Sequence, residues 1–266
     1  MKTRTISAFL MLLIFIPILI IGGNLFQLFI FIISLIGITE FLDIKNRKKE
    51  IPNFIKFISY MLVSLIILFN IKNNNNVFMI DYKIISALFL TLFVPTVFYH
   101  ERSKYSINDA FYLAGGILFL GFSMSLLMSI RNIGLEITIY LFLITVITDT
   151  YAYITGSLIG KNKMLEVISP KKTWEGFIGG TVFGVLIPTA YYHCVINPEL
   201  SIIPLVLITL FLSILGQFGD LFFSSIKRYF DKKDFSNLMP GHGGVLDRFD
   251  SIIFVVLGYI LFISIL

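Results

Sequence analysis

This chain of 266 residues has one cysteine, one tryptophan, three histidines and only 14% charged residues. The lone Cys194 cannot form an internal disulfide, so cysteine use says nothing of the redox compartment. The shortage of charge is more decisive. Set against 57% hydrophobic residues and a mean hydropathy of +0.90, it excludes an ordinary soluble domain and places the chain in a bilayer. An evident inverted repeat is also missing, which speaks against the architecture common in ion-coupled transporters. The net charge of +5 and pI near 9.2 would suggest nucleic acid in a soluble protein. In a membrane chain, Lys and Arg collect instead in loops that stay cytoplasmic, so no nucleic-acid partner is expected.

Apolar runs are what the chain has in quantity. A membrane span needs about twenty mostly apolar residues. Nine stretches approach that length: Ile6 to Ile21, Leu25 to Leu42, Phe54 to Ile71, Ile84 to Tyr99, Ile107 to Ile130, Ile137 to Ile159, Phe177 to Tyr192, Ser201 to Ile226 and Val245 to Leu266. The first is read as a span and not as a cleaved signal, because no A-x-A-like site follows and the next run begins at once. With the N-terminus inside, 18 of the 21 Lys and Arg fall on the cytoplasmic side, leaving Lys72, Lys83 and Arg131 on the far side. That asymmetry supports an all-α polytopic bundle of about nine transmembrane helices with a cytoplasmic N-terminus.

Residues 1–106 read as supporting helices and residues 107–266 as the part that carries the site, within one polytopic unit. The loop Asp43 to Asn53 reads as a solvated charge run and Asn73 to Asn76 as a turn. His100, Glu101 and Arg102 mark the cytoplasmic end of a span.

Polar residues enter the apolar runs only farther on. Asp149 lies within the sixth stretch, where an aspartate costs about 3 kcal/mol on insertion scales, so it needs an interior partner or a polar cavity. Ser169 to Gly176, SPKKTWEG, reads as a helix start: Ser169 as N-cap, Pro170 at the first helical position, Lys171 and Lys172 in the first turn. Two lysines at the positive end of a helix make sense if an anion sits between them and the exposed N–H groups. Gly176, Gly180 and Gly184 follow as a ladder suited to close helix packing, within one chain or between two copies in a homodimer.

The eighth stretch places Gln217, Asp220, Ser224 and Lys227 on one helix face. The next loop carries Arg228, Lys233, Asp234 and Ser236, then Pro240-Gly241-His242-Gly243-Gly244, where bare backbone can approach phosphate oxygens. The ninth stretch opens with Asp247, Arg248, Asp250 and Ser251. Asp247 and Asp250 share a face, and two such carboxylates repel unless a cation joins them; oxygen-only ligands favour magnesium. Arg248 suits phosphate or carboxylate.

The segments SSIKR (Ser224 to Arg228), KDFS (Lys233 to Ser236), PGHGG (Pro240 to Gly244) and DRFDS (Asp247 to Ser251) resemble the C-terminal signature of the phosphatidate cytidylyltransferase, or CDP-diacylglycerol synthase, family. SPKKTWEG and the segment around Asp149 are similar to other motifs of that family, and the resemblance covers roughly Thr148 to Ser251. It implies transfer of a cytidylyl group from CTP to phosphatidate with Mg²⁺, giving CDP-diacylglycerol and pyrophosphate; the expected place is a membrane, the plasma membrane if the source is bacterial, with the active site facing the cytoplasm. A second cation stays open. On that basis Asp220, Asp247 and Asp250 are expected as metal ligands, with Lys227 and Arg248 beside them as catalytic groups. Ser169, Lys171, Lys172, Ser224, Arg228, Lys233, Asp234, Gly241, His242, Gly243, Gly244 and Asp149 are expected to bind substrate phosphates. The alternatives are an ion-coupled transporter, or a cytidylyltransferase or CTP-dependent kinase acting on another lipid.

Overall fold

A computed structural model of the chain describes residues 2–72, 82–99, 104–239, 241, 243–263 and 265, with side chains described over 9–69 in the first of these ranges. His242, Pro240, the Asn73 to Asn76 tract, His100, Glu101 and Arg102 lie outside the described residues.

Each apolar stretch is helical: α1 (Lys2–Ile21), α2 (Gly23–Asn46), α3 (Asn53–Lys72), α4 (Tyr82–Phe98), α5 (Ile107–Ile133), α6 (Leu135–Ile159), α7 (Trp174–Tyr191), α8 (Ile202–Tyr229) and α9 (Leu246–Tyr259). The described strands are a short hairpin between α6 and α7, β1 (Lys163–Leu165) antiparallel to β2 (Ser169–Thr173). Among the described residues five helices are long and apolar enough to cross a membrane: α2, α5, α6, α8, and α7 with the π-helical turn that prolongs it to Ile196. Phe9–Ile21, Asn53–Phe69 and Tyr82–Phe98 are shorter apolar helical segments. At 14 residues, α9 reaches about 21 Å, short of a hydrocarbon core of roughly 30 Å. The protein is an all-α integral membrane protein, and among the described residues five helices meet the length and hydropathy of a span.

The chain packs as two compact units, one of residues up to Asn132 with Phe230–Leu246, the other of Ile133–Tyr229 with Asp247–Leu266. These cuts concern packing, whereas the division at residue 106 concerned roles.

In the first unit, α5 carries buried residues around much of its circumference, from Asp109 and Leu113 to Met128 and Ile130. A helix apolar on all sides belongs inside a bundle. The charge run at the end of α2 proves to be more than a solvated face. Lys45 is buried, with its Nζ 2.5 Å from Asp109 Oδ1 and 4.9 Å from the Tyr112 ring centroid. Lys49 pairs with the other carboxylate oxygen. Asp109 also accepts from the Ser106 N–H (2.8 Å) and hydroxyl (2.7 Å), closing the first turn of α5. The correction has a simple cause: a carboxylate buried at a helix start needs opposite charge, and its donors lie some sixty residues earlier.

In the second unit, the α7 glycine ladder meets α6. A Cβ at Gly176 would stand 2.7 Å from the Ala152 carbonyl, one at Gly180 2.6 Å from that of Thr148, and one at Gly184 2.0 Å from Thr148 Oγ1 and 2.8 Å from Ser213 Oγ. Thr148 and Ser213 hydroxyls share a 2.8 Å hydrogen bond that ties α6 to α8. Gly184→Ala is therefore expected to break that bond and cost about 1–3 kcal/mol. Gly115→Ala, where nothing lies within 4 Å, serves as the neutral control. Thermal unfolding of the two variants in one detergent checks this.

Candidate active site

The SPKKT segment is extended and not helical. Pro170 disfavours helical backbone at Ser169, and Ser169–Thr173 pairs with Lys163–Leu165 instead. The helix starts one residue later than the motif's threonine: Thr173 is the N-cap of α7, its Oγ1 accepting from the Gly176 N–H at 3.2 Å. Glu175, in the first turn of α7, takes its own backbone N–H and those of the hairpin base. It accepts from the Asn162 side-chain amide at 2.7 Å and from the Asn162 N–H at 3.2 Å, fastening the base of the hairpin.

Strand geometry then separates the two lysines, because successive side chains point to opposite faces. Lys171 is exposed. Lys172 turns inward, its Nζ 2.8 Å from Asp220 Oδ2 and donating to the Gln217 carbonyl at 3.3 Å. The expected anion site between both lysines and a helix N-terminus is thus replaced by one lysine reaching a carboxylate of α8. Ser169 is half-buried within β2.

The α8 face read from the sequence is present. Gln217 Nε2 donates to Thr181 Oγ1 at 2.8 Å, Ser224 Oγ to Asp220 Oδ1 at 3.3 Å, and Lys227 Nζ to Asp247 Oδ1 at 2.6 Å. Gly219 lets α9 come close, since a Cβ there would lie 2.7 Å from the Asp250 carbonyl. Asp250 is buried and takes the Ser251 N–H at 2.8 Å. The Ser251 hydroxyl reaches Asp149 Oδ2 at 3.4 Å.

Asp149, Asp220 and Asp250 consequently form one electrostatic group. Asp149 feels Asp220, with Lys172 and Arg248 opposing; Asp250 feels Asp220 and Asp149, with Lys227 opposing. Asp149 retains solvent-accessible surface although it sits well inside a spanning helix. At that depth an aspartate needs polar company, and it has the Ser251 hydroxyl beside it, within the same unit. Of the trio expected from the sequence, Asp247 is paired with Lys227, both at most 9% exposed in their side chains. Among the described residues no group of three or more His, Cys, Asp or Glu is gathered to hold a metal ion. Arg248 is exposed, and Arg228 Nε donates to the Ile168 carbonyl at 3.1 Å, bracing the hairpin.

The glycine loop belongs to the first unit. Lys233 and Asp234 are exposed, and Gly241 (φ 78°) and Gly243 (φ 81°) adopt the left-handed backbone that their lack of Cβ permits. Glu40 of α2, which nothing in the sequence singled out, accepts from Ser236 Oγ at 2.6 Å and from the N–H groups of Val245 and Leu246, each at 2.9 Å. Those two N–H groups are therefore committed to a carboxylate and are not open to phosphate. A Cβ on Gly244 would stand 2.5 Å from Glu40 Oε1. The only sequence signal for Glu40 was a lone acid near the end of an apolar run.

Residues 2–266 match the cytidylyltransferase family over essentially the whole chain. The chain belongs to that family. It is 39% identical over 261 residues to the phosphatidate cytidylyltransferase of Staphylococcus haemolyticus (strain JCSC1435), with 96% of each chain covered. To the proteins of the same name from Staphylococcus epidermidis (strain ATCC 12228 / FDA PCI 1200) and Staphylococcus aureus (strain COL) the identities are 38% and 37%, over the same 261 residues. As a cytidylyltransferase family member, the chain shows its densest charge where the sequence motifs of α6, β2, α8 and α9 meet in the second unit.

Proposed function

We propose that this protein transfers the cytidylyl group of CTP to phosphatidate, giving CDP-diacylglycerol and pyrophosphate in phospholipid biosynthesis. The observation that carries this reading is the set of polar groups that α6, β2, α8 and α9 bring together, with Lys172 on Asp220 at 2.8 Å and the Ser251 hydroxyl on Asp149 at 3.4 Å. The reaction joins a water-soluble anion to a lipid anion, and an accessible polar site at bilayer depth is where both can arrive. The 18-to-3 distribution of Lys and Arg supports placing it toward the cytoplasm at a bacterial plasma membrane.

In this mechanism a phosphate oxygen of phosphatidate attacks the α-phosphorus of CTP. The bond from that phosphorus to the bridging oxygen breaks, and pyrophosphate leaves with the electron pair. The nucleophile is already anionic, so neither a covalent enzyme intermediate nor a strong general base is required. Lys172, a quarter exposed in its side chain, trades Asp220 for a phosphate oxygen when substrate enters. Arg248, exposed beside Asp149, takes a second phosphate contact. Lys227 keeps Asp247 neutralised and the α8–α9 junction closed.

The donor chemistry suits a hard divalent cation such as Mg²⁺, since the mutually repelling groups are all carboxylates. Asp220 and Asp250 would hold it with Asp149 nearby, and Asp247, paired with Lys227 here, would have to exchange that partner to join them. Substrate phosphates would supply further oxygen ligands, as is usual for this ion. When bound, it offsets charge on the transferring group and on pyrophosphate. If two copies pair, they do so through a face other than the α7 glycine ladder, which α6 occupies.

Purified protein incubated with α-labelled CTP, Mg²⁺ and phosphatidate should yield a labelled lipid and unlabelled pyrophosphate. Absence of labelled lipid across detergents, nanodiscs and divalent metals would overturn the assignment.

A further inference from the structure

The start of α9 has an unmet need that is visible in its sequence. A helix leaves its first N–H groups without internal partners, and a Ser, Thr, Asp or Asn just ahead normally supplies an oxygen. Gly244 and Val245 precede Leu246 here and have none to offer. Glu40 supplies it from α2. Its two carboxylate oxygens take the N–H groups of Val245 and Leu246 separately, Oε1 and Oε2 at 2.9 Å each, and Oε1 also takes the Ser236 hydroxyl. One buried, 4%-exposed acid thereby grips both ends of the glycine loop.

Two further features of the same face support the grip. One turn before Glu40 on α2, Gly37 leaves room for the Leu246 side chain, whose Cδ2 would lie 3.2 Å from a Cβ there. Gly244 leaves room for the carboxylate itself. The loop between the two grips turns through the left-handed Gly241 and Gly243 and is closed by the Met239 N–H on the Gly243 carbonyl at 2.9 Å. Apolar burial fixes only the flanks of this loop: Phe235, Val245 and Leu246 are buried, while Leu238 between them is 56% exposed. Its shape therefore depends on charge-assisted hydrogen bonds.

We propose that Glu40 is a positioning residue for cytidylyl transfer: it does not touch substrate, but it fixes the loop from Ser236 to Leu246 in one conformation and thereby sets where α9, which continues directly into Asp247 and Asp250, begins. This rests on the function proposed above.

The test uses the full-length protein in one detergent or nanodisc, as Glu40→Gln, Glu40→Ala and the milder Ser236→Ala. Amide hydrogen exchange over Met239 to Leu246 should rise at least tenfold in Glu40→Ala, less in Glu40→Gln, which keeps one acceptor oxygen, and only around Ser236 to Met239 in Ser236→Ala. Exchange in α6 and α7 should stay unchanged. In step with the loop, kcat should fall at least tenfold in Glu40→Ala, with intermediate loss in Glu40→Gln. Unchanged loop exchange in Glu40→Ala would overturn the proposal, and so would a loosened loop with kcat and KM both at wild-type values. Uniformly raised exchange throughout the protein would also overturn it, since that is the mark of a merely structural acid. Should the wild type transfer nothing to phosphatidate, the functional reading fails, while the exchange measurement still decides whether Glu40 sets the loop.

Discussion

Asp250→Asn is expected to do two opposite things: cut cytidylyl transfer on the order of 10²- to 10³-fold and stabilise the metal-free protein. Asp250 is buried and faces Asp220 and Asp149. The attraction it receives comes from Lys227, which is itself 2.6 Å from Asp247. An amide of the same shape keeps the acceptor oxygen for the Ser251 N–H and removes a buried carboxylate whose ionised form faces Asp220 and Asp149, so the cost of charging it is gone. The melting temperature in chelator should rise, by roughly 2–4 °C for each kcal/mol of repulsion relieved. The same change removes a ligand for the cation, so the variant should also gain less stability from added Mg²⁺ than the wild type does. Melting curves with and without Mg²⁺, run beside an assay at saturating CTP, read both effects. A variant that is fully active at limiting Mg²⁺, or that melts lower in chelator, would remove Asp250 from this role.

The second large effect concerns the Lys227 and Asp247 pair. Both side chains are almost completely enclosed, 9% and 4% exposed. Lys227→Met leaves Asp247 as a buried charge without its nearest partner, which typically costs about 3–5 kcal/mol. Replacing both, as Lys227→Met with Asp247→Asn, removes the stranded charge and should recover most of that loss; the coupling is read from the double-mutant cycle. Activity should not recover with stability, because the double variant still lacks the cation that faces Asp250. If the double variant melts as low as the single one, the pair is not the source of the cost. If it regains full transfer, the pair serves structure alone.

Parts of this arrangement were legible in the chain and parts were not. Asp220, Ser224 and Lys227 could be placed on one face because helical periodicity is local, and the α7 glycines announced a packing face for the same reason. The SPKKT segment misled because its proline and serine suit a helix start as well as a strand. The choice was made by pairing with Lys163–Leu165 and by Thr173 taking the cap. Lys171 and Lys172 look equivalent in sequence, and only the strand's alternation turns one out and the other onto Asp220.

Composition and periodicity were enough for the class of protein, the helices and the motif segments that bear charge, since burial in lipid and helical repeat both act over a few neighbouring residues. Partner choice among charges depended on folding. Glu40 caps a helix more than two hundred residues away, Lys45 and Lys49 meet Asp109 across sixty, and Asp247 goes to Lys227 instead of to its fellow carboxylates. A buried charge takes whichever opposite charge or donor the packed helices bring within about 3 Å, because in a low-dielectric interior an unpaired group costs more than any local preference can return.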